Sequence, residues 1–174
     1  GVRPSGREFA GIEYVDGRRR AMADFPAGPG LGVRRTALSS ALLTAVVDAG
    51  VPVEAGAVRA VDQDADGVTV DGLRCRYLVA ADGLHSPVTR LLDLDRPAKG
   101  RQRWGQRRHF GVPPWSDRVQ VHWSPHGEAY VTPVADDLVG VAVLSSRRVP
   151  LAEQLRWFPE IADRVAGSDG GPVR

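Results

Sequence analysis

The chain has 174 residues, with 23 basic and 21 acidic side chains, one cysteine (Cys75) and 43% apolar residues. This composition suits one domain, or one domain and part of a second, and it excludes a disordered chain, an internal disulfide framework and a cysteine-based zinc site. No apolar run approaches the ~20 residues of a membrane span, and no charged-then-apolar leader opens the chain, so a cytoplasmic location is expected.

The first fifty residues predict a hairpin and a helix. Ile12–Val15 and Arg18–Phe25 alternate as strands around an Asp16-Gly17 turn, whereas residues 1–10 and 26–32 have no regular period. A helix is predicted over Thr36–Ala49, from apolar residues at helical spacing. These apolar residues are Leu38, Leu42, Leu43 and Val46.

Both ends of this helix carry boundary signals. Thr36 is the expected N-terminal cap, and Gly50 stands where a glycine commonly ends a helix. A short strand, Val51–Glu54, is predicted to follow.

An antiparallel meander comes next. Its strands are predicted over Val58–Gln63, Val68–Val70 and Leu73–Ala80, and Asp64–Gly67 and Asp71-Gly72 form the turns between them. The third strand changes from alternating to continuously apolar. That change is typical of a strand that leaves a half-exposed sheet and enters a layer buried on both faces.

The buried end of that strand, Tyr77–Ala81, leads into the most informative loop of the chain. Ser86 is a good cap for a helix over Pro87–Leu92. The free backbone amides at the start of that helix would favour an anionic group such as a diphosphate. Gly83 permits close approach of a ligand to the backbone, and Asp82 offers an acceptor for a ribose hydroxyl. The alternative is a plain strand–turn–helix connection in which Asp82 only caps the turn.

The second half of the chain is predicted to be mainly β. Residues 93–106 form a basic loop, and residues 167–174 form a tail without a structural signal. Strands are predicted over Arg108–Val112, Val119–Trp123, Glu128–Val134 and Leu138–Leu144, and short helices over Leu151–Phe158 and Pro159–Ala166.

The segment YLVAADGLHSPVTR resembles the second nucleotide-binding motif of FAD-dependent monooxygenases and their relatives, which include aromatic hydroxylases and geranylgeranyl reductases. The matching residues are Asp82, Gly83, Ser86 and Val88. The sequence departs from the motif at Thr89, which stands at the family's arginine position, with Arg90 one residue later. The resemblance implies that Asp82, Gly83 and Ser86 help to hold FAD.

A second segment, VRRTALSSALL, resembles the family's helix whose leading arginine lies near the adenosine and diphosphate of FAD. Arg35, three residues ahead of Leu38, matches that arginine, and Arg34 is the fallback. A guanidinium at a helix start suits a phosphate, although an isolated arginine pair is more often simply solvated. The later stretch from residue 109 to 144 resembles the β-rich substrate domain of the geranylgeranyl-reductase-like branch, to which the early hairpin would also belong.

The resemblance implies an α/β (α+β mix) fold class. Part of a three-layer FAD/NAD(P)-binding domain would carry the antiparallel meander, and part of a β-rich substrate domain would follow it. The implied segments are a substrate-domain hairpin at 1–30, partial FAD-binding and substrate domains at 31–98 and 99–166, and the tail. Two family parts do not occur in the sequence, the N-terminal G-x-G-x-x-G unit and the C-terminal Gly-Asp motif. The chain is therefore interpreted as an internal fragment.

The implied function is that of a FAD-dependent oxidoreductase, a monooxygenase or a reductase. The intact enzyme would hold FAD noncovalently, accept electrons from NAD(P)H or another donor, and hydroxylate or reduce a small hydrophobic organic substrate. No catalytic residue is assigned. Trp123 and Tyr130 are candidates for the substrate pocket, with core packing as the alternative role. Residues 1–174 alone are expected to bind FAD weakly or not at all, because the N-terminal FAD-binding segment would be a necessary partner.

Other functions have weaker signals. Arg101–Arg108, with its embedded tryptophan, supports an alternative non-catalytic basic α+β module that binds an anionic partner, although a solvated linker explains the run as well and no nucleic acid is expected. His122 and His126 flank a turn, so a metal site is not expected. Asp82, His85 and Ser86 lie too close together along one loop to form a hydrolase triad.

Overall fold

The computed structural model describes residues 1–96, 99–168 and 170–174. Their contacts divide the chain into two compact units. The first unit comprises Gly1–Val51 together with Arg101–Arg174, and the second comprises Pro52–Gly100. Both units combine strands and helices, which confirms the mixed α/β class. The four predicted segments divide the chain at other positions, and their boundaries stay predictions.

The elements in chain order are as follows. The first unit begins with β1 (Arg7–Phe9), β2 (Gly11–Asp16), β3 (Arg19–Asp24), β4 (Gly30–Gly32) and α1 (Arg35–Asp48). The second unit holds β5 (Val61–Asp64), β6 (Gly67–Val70), β7 (Leu73–Cys75) and α2 (Pro87–Leu91). The first unit then resumes with β8 (Trp104–Phe110), β9 (Arg118–Ser124), β10 (Gly127–Ala135), β11 (Leu138–Ser145), α3 (Leu151–Leu155) and α4 (Pro159–Val165).

A six-stranded sheet, in the order β3-β2-β9-β10-β11-β8, dominates the first unit. The early hairpin enters this sheet through a parallel pair, in which Gly11 of β2 lies opposite Arg118 of β9. The other neighbours in the sheet are antiparallel. The hairpin and the late strands therefore share one sheet, although the helix α1 and the whole second unit separate them along the chain.

One face of this sheet carries the core. Alternate residues of β10 and β11 point to this face, among them Val131, Val139 and Val141, each at most 3% exposed. They pack against apolar side chains of α3 and α4, including Ile161, which is fully buried. Each such side chain contributes roughly 1.5–3 kcal/mol by leaving water. The core thus fixes the two late helices on one side of the sheet and leaves the other side open.

The basic run 101–108 enters this sheet. Trp104–Phe110 pairs with β11 along its length, with Arg107 opposite Ala142 and Arg108 opposite Val141. The interpretation as a solvated linker is therefore wrong from Trp104 onward, because the extended backbone gains a full ladder of hydrogen bonds at the sheet edge. Positions 97 and 98 of the predicted basic loop lie outside the described residues.

The predicted structureless tail also continues the sheet. Arg107 and Arg174 exchange two backbone hydrogen bonds of 2.9 Å, and the Gly171 amide donates to the His109 carbonyl at 3.0 Å. The tail is therefore held along the free edge of β8. Position 169 lies outside the described residues.

Two segments expected to be irregular form a small sheet of their own. Arg7–Phe9 pairs with Gly30–Gly32, and the rings of Phe9 and Phe25 meet edge-on with centroids 5.8 Å apart. Three-residue strands with glycine carry no period-two pattern, so only the tertiary pairing reveals them.

One end of helix α1 agrees with the prediction from the sequence, and the other does not. Its N-cap is Arg34, without a side-chain cap bond, so the prediction of Thr36 as the cap is wrong. Its end agrees with the prediction, because Gly50 has φ +69° and its amide donates to the Val47 carbonyl at 2.9 Å. The apolar residues of α1 are all at least partly exposed, so they belong to no core of the described residues.

The second unit contains the meander β5-β6-β7. Its last turn, Asp71-Gly72, has positive φ at both residues, as this class of tight hairpin requires. The strand β7 stops at Cys75, and beyond it Tyr77 and Val79 are 81% and 85% exposed. The prediction of a buried strand at Tyr77–Ala81 is wrong for this chain, because no strand among the described residues pairs with it.

The strand predicted at Val51–Glu54 does not form either, and Val51 and Val53 are exposed. Among the described residues, no helix combines the length and the apolar character that crossing a membrane requires.

Candidate functional site

The side of the six-stranded sheet opposite α3 and α4 is called the open face. One row of residues runs across it in register: Tyr14, Val121, Tyr130, Ala142 and Arg107. Next to Tyr130 and Arg107, the residues Gly140 and Ala142 present almost no side chain. A cavity of about 200 Å³ therefore opens there, bounded also by Thr132 and His109.

The two aromatic residues suggested for a substrate pocket both lie on the open face. Trp123 is 51% exposed, and its ring centroid is 5.7 Å from that of Tyr14. Tyr130 is half-buried and lines the cavity of the open face. Burial, followed by the charge of Glu128, raises the pKa of the Tyr130 hydroxyl. Neither residue belongs to the core cluster, so core packing is the wrong interpretation for them.

Arg35 lies in the first turn of α1, beside a second cavity of about 130 Å³, which is called the arginine cavity. Its lining includes Arg34, Arg35, Arg107, His109 and Arg174. The sequence pointed to Arg34 and Arg35, and it included Arg107 only within the basic run 101–108, whereas His109 and Arg174 were missed. The alternate spacing of Arg107 and His109, which places them on one side of a strand, was the signal available for His109.

The electrostatics of the arginine cavity act on His109. Burial lowers the pKa of this histidine, and the positive charges of Arg34 and Arg107 lower it further. His109 is therefore neutral near pH 7, with a ring that donates one hydrogen bond from one nitrogen and accepts one at the other.

Asp82, Gly83 and Ser86 lie in the second unit, at the start of α2. The Ser86 hydroxyl oxygen accepts from the Thr89 amide at 3.0 Å, and Asp82 Oδ2 accepts from the Val88 amide at 3.3 Å. The Ser86 cap is thus confirmed. The amides of Val88 and Thr89, which were expected to face an anion, donate instead to the side chains of Asp82 and Ser86. This arrangement is that of the alternative prediction, in which Asp82 only caps the turn. Hydrogen bonding to Ser86, then to Val88, lowers the pKa of Asp82.

The backbone at Gly83 is open. Its φ is +89°, a conformation that residues other than glycine rarely adopt, and no atom beyond its two chain neighbours lies within 4 Å of the position that a Cβ would take. A ligand can therefore approach this peptide directly. At the position where the motif expects arginine, the Thr89 hydroxyl donates to the Ser86 carbonyl at 3.0 Å, and Arg90 donates to the His85 carbonyl at 3.1 Å.

A buried polar network lies on the core face of the sheet, and no sequence signal pointed to it. Glu13 accepts from Gln120 at 2.6 Å and from Arg20 at 2.8 Å, and Arg20 continues to Glu160 on α4. His122 is 5% exposed beside Gln120. No group of three or more metal-ligating side chains forms in the part of the chain that the structure describes.

The sequence pattern of a protein family described as "FAD binding domain" matches residues 19–166. The chain belongs to this family. A search among curated proteins found no match.

Solved structures share this fold at low sequence identity. A flavoprotein/dehydrogenase from Cytophaga hutchinsonii has a TM-score of 0.80 at 18% identity, over 97% of this chain and 50% of its own. A p-nitrophenol 4-monooxygenase from Pseudomonas putida has a TM-score of 0.75 at 18% identity, and the match covers 97% of this chain and 50% of that protein's chain. A geranylgeranyl bacteriochlorophyll reductase-like protein from Thermoplasma acidophilum has a TM-score of 0.72 at 18% identity, and the match covers 95% of this chain and 48% of that protein's chain. The chain thus spans about half the length of these three proteins.

Proposed function

We propose that this chain is part of a FAD-dependent oxidoreductase that hydroxylates or reduces a hydrophobic organic substrate, with NAD(P)H or another donor supplying the electrons. The family match over residues 19–166 is the observation that carries this proposal. The names of the structural relatives, among them a monooxygenase and a reductase-like protein, support the reaction class. Bound FAD would supply the electron transfer to the substrate or to oxygen.

Four residues are proposed to hold the cofactor. Arg35, at the start of a 14-residue helix without an acidic residue in its first turn, suits an anionic phosphate. In the second unit, the exposed peptide at Gly83 allows a flat or extended ligand to lie against the backbone. Asp82 and Ser86 hold that loop in place through their bonds to α2. The residues present therefore fit the cofactor that the family implies.

The open face is proposed to take the substrate. Its cavity combines the aromatic ring of Tyr130 with the small residues Gly140 and Ala142, which leave room for an apolar group above the sheet. No side chain there is assigned a chemical step.

Two exposed apolar surfaces support a requirement for a further FAD-binding segment. In the first unit, Leu42 and Leu43 of α1 are 47% and 52% exposed. In the second unit, Tyr77 and Val79 are more exposed still. A folded protein rarely leaves such side chains uncovered within one segment. We propose that additional chain of the same flavoprotein covers each surface.

The test is purification of the full-length product of the gene that encodes this chain. We expect a flavin absorbance at ~450 nm that survives gel filtration, and its loss in Arg35→Gln and in Gly83→Val. Arg19→Gln is the matched control, because Arg19 is exposed on β3 and distant in sequence from all four proposed residues. A folded full-length product without flavin, and without flavin uptake on titration, would overturn the proposal.

A further inference from the structure

The arginine cavity carries more positive charge than the single arginine, Arg35, that the proposed function assigns to the cofactor. Four arginines and one histidine line it, and no acidic side chain does. The arginines come from three parts of the first unit. Arg34 and Arg35 begin α1, Arg107 lies on β8, and Arg174 lies on the tail. All four arginines are exposed, so solvent screens part of their mutual repulsion, and a bound anion would relieve the rest.

No salt bridge within the described residues offsets them. Five other arginines of those residues form salt bridges, for example Arg20 with Glu160 and Arg118 with Asp24, both at 2.8 Å or less. None of the four arginines of the cavity takes part in a salt bridge within residues 1–96, 99–168 and 170–174. Their guanidinium groups remain available to an external oxyanion, which they bind well through paired N–H donors.

The arginine cavity also adjoins the cavity of the open face. Arg107 and His109 line both of them, so one ligand can extend from the arginines to Tyr130 and Gly140. The arginine cavity, at about 130 Å³, is smaller than the ~300 Å³ at which sites for whole organic ligands begin. It suits one charged group of a larger molecule whose apolar body lies above the sheet.

We propose that the arginine cavity binds the carboxylate or phosphate group of an organic anion, and that Arg34 and Arg107 select this class of substrate. The inference rests on the proposed function, because it narrows the hydrophobic organic substrate to one with an anionic group. Arg107 is the central residue, since it joins the two cavities. The FAD diphosphate carries the same oxyanion chemistry and is the competing source of the bound group.

The test measures ligand binding to the flavin-free chain by NMR of the His109 ring. The probes are benzoate, its neutral analogue benzamide, inorganic phosphate and ADP, and the variant His109→Gln assigns the resonance. We expect benzoate to bind, and to raise the pKa of His109, because a bound anion offsets the charges of Arg34 and Arg107. Benzamide should produce neither effect.

Substitutions then locate the site. Arg107→Gln should weaken benzoate binding about tenfold, as expected for the loss of one charge-assisted hydrogen bond, and Arg19→Gln should leave it unchanged. Arg34→Gln repeats the test at an exposed helix start, so that a folding defect of one variant leaves the other informative. Thermal unfolding of each variant checks the fold.

Three results would overturn the inference. Benzamide could bind as tightly as benzoate, both arginine variants could bind benzoate as the parent chain does, or ADP and phosphate could bind at His109 while benzoate does not. The last result would assign the cavity to a cofactor phosphate. Failure of the full-length product to bind FAD would overturn the proposed function alone, because the benzoate measurement contains no flavin.

Discussion

Glu13 on β2 accepts a 2.6 Å hydrogen bond from Gln120 on β9, across the parallel pair that joins the early hairpin to the late strands. Both residues are less than 10% exposed. Arg20 bonds the other carboxylate oxygen of Glu13 and also reaches Glu160 on α4. The carboxylate thus connects the hairpin, the neighbouring strand and, through Arg20, the last helix.

The first prediction concerns this carboxylate. Glu13→Gln should lower the free energy of unfolding by ~1–3 kcal/mol, because an uncharged amide weakens the bond to Arg20 and presents a second donor to Gln120. Urea unfolding measures the loss, with Glu8→Gln as the matched control, since Glu8 is an exposed glutamate on β1. Equal stability of the two variants would show that the network is not stabilising.

The second prediction is a loss of stability in acid. Burial lowers the pKa of His122 below its ordinary 6.5, and bonds to Gln120 and Arg20 outweigh burial to lower the pKa of Glu13 below its ordinary 4.5. In each case the unfolded chain binds protons at a pH where the folded chain does not. Stability is therefore full above pH 6.5, falls as the pH drops below 6.5, and falls again below 4.5.

Urea unfolding midpoints across this range measure the effect. His122→Leu should reduce the slope of the profile just below pH 6.5, to which His109 also contributes because burial lowers its pKa too. His85→Gln, at an exposed position of the second unit, should not change it. If His122→Leu left the dependence of the unfolding midpoint on pH unchanged, the loss of stability could not be attributed to His122.

The third prediction contrasts two potential helix caps. Ser86→Ala should destabilise the start of α2 by ~1 kcal/mol, because the Thr89 amide loses its acceptor. Thr36→Ala should change stability by less than ~0.5 kcal/mol, because Thr36 lies inside α1 and makes no cap bond. Amide hydrogen exchange at Thr89 and global unfolding measure the two effects. A larger loss for Thr36→Ala would restore that residue as the cap.

The fourth prediction contrasts two apolar side chains. Ile161→Ala should cost ~2–5 kcal/mol, because Ile161 is fully buried between α4 and the sheet. Leu42→Ala, on the exposed side of α1, should cost less than ~0.5 kcal/mol in this chain. Chemical unfolding of the 174-residue chain measures both. A comparable loss for Leu42→Ala would show that α1 packs against a core here.

The fifth prediction is that residues 1–174 alone bind FAD weakly or not at all. The segment after β7 is exposed and unpaired within the described residues, so part of the surface expected around the cofactor is not formed. Quenching of flavin fluorescence on titration with the chain measures the affinity. A micromolar dissociation constant would contradict this prediction.

The sequence by itself determined the elements whose signals are local. The turn at Asp71-Gly72, the glycine at the end of α1 and the Ser86 cap all follow from the backbone preferences of single residues, and the structure has each of them. The first hairpin turns at Gly17-Arg18, one residue later than the predicted Asp16-Gly17, because Asp16 still pairs with Arg19. The late strands follow from period-two alternation and differ by only a few residues at their ends. The Asp-Gly motif also indicated the family, because its spacing is specific.

Only the tertiary structure decided which segments meet. Arg107, His109 and Arg174 surround one cavity with Arg34 because β8 and the tail pair along one edge, and nothing local encodes that pairing. The same holds for Glu13 and Gln120, which are far apart in sequence. For Tyr77–Ala81 the local signal gave the wrong burial, because an apolar run becomes a buried strand only where another strand pairs with it.

The opening balance of 23 basic and 21 acidic residues changes its meaning in this light. The near-neutral total suggested no particular partner. The fold pairs several arginines with carboxylates and gathers four others around one cavity without an acidic side chain in its lining. Net charge is a property of composition, whereas a local excess of charge depends on which strands and helices lie side by side.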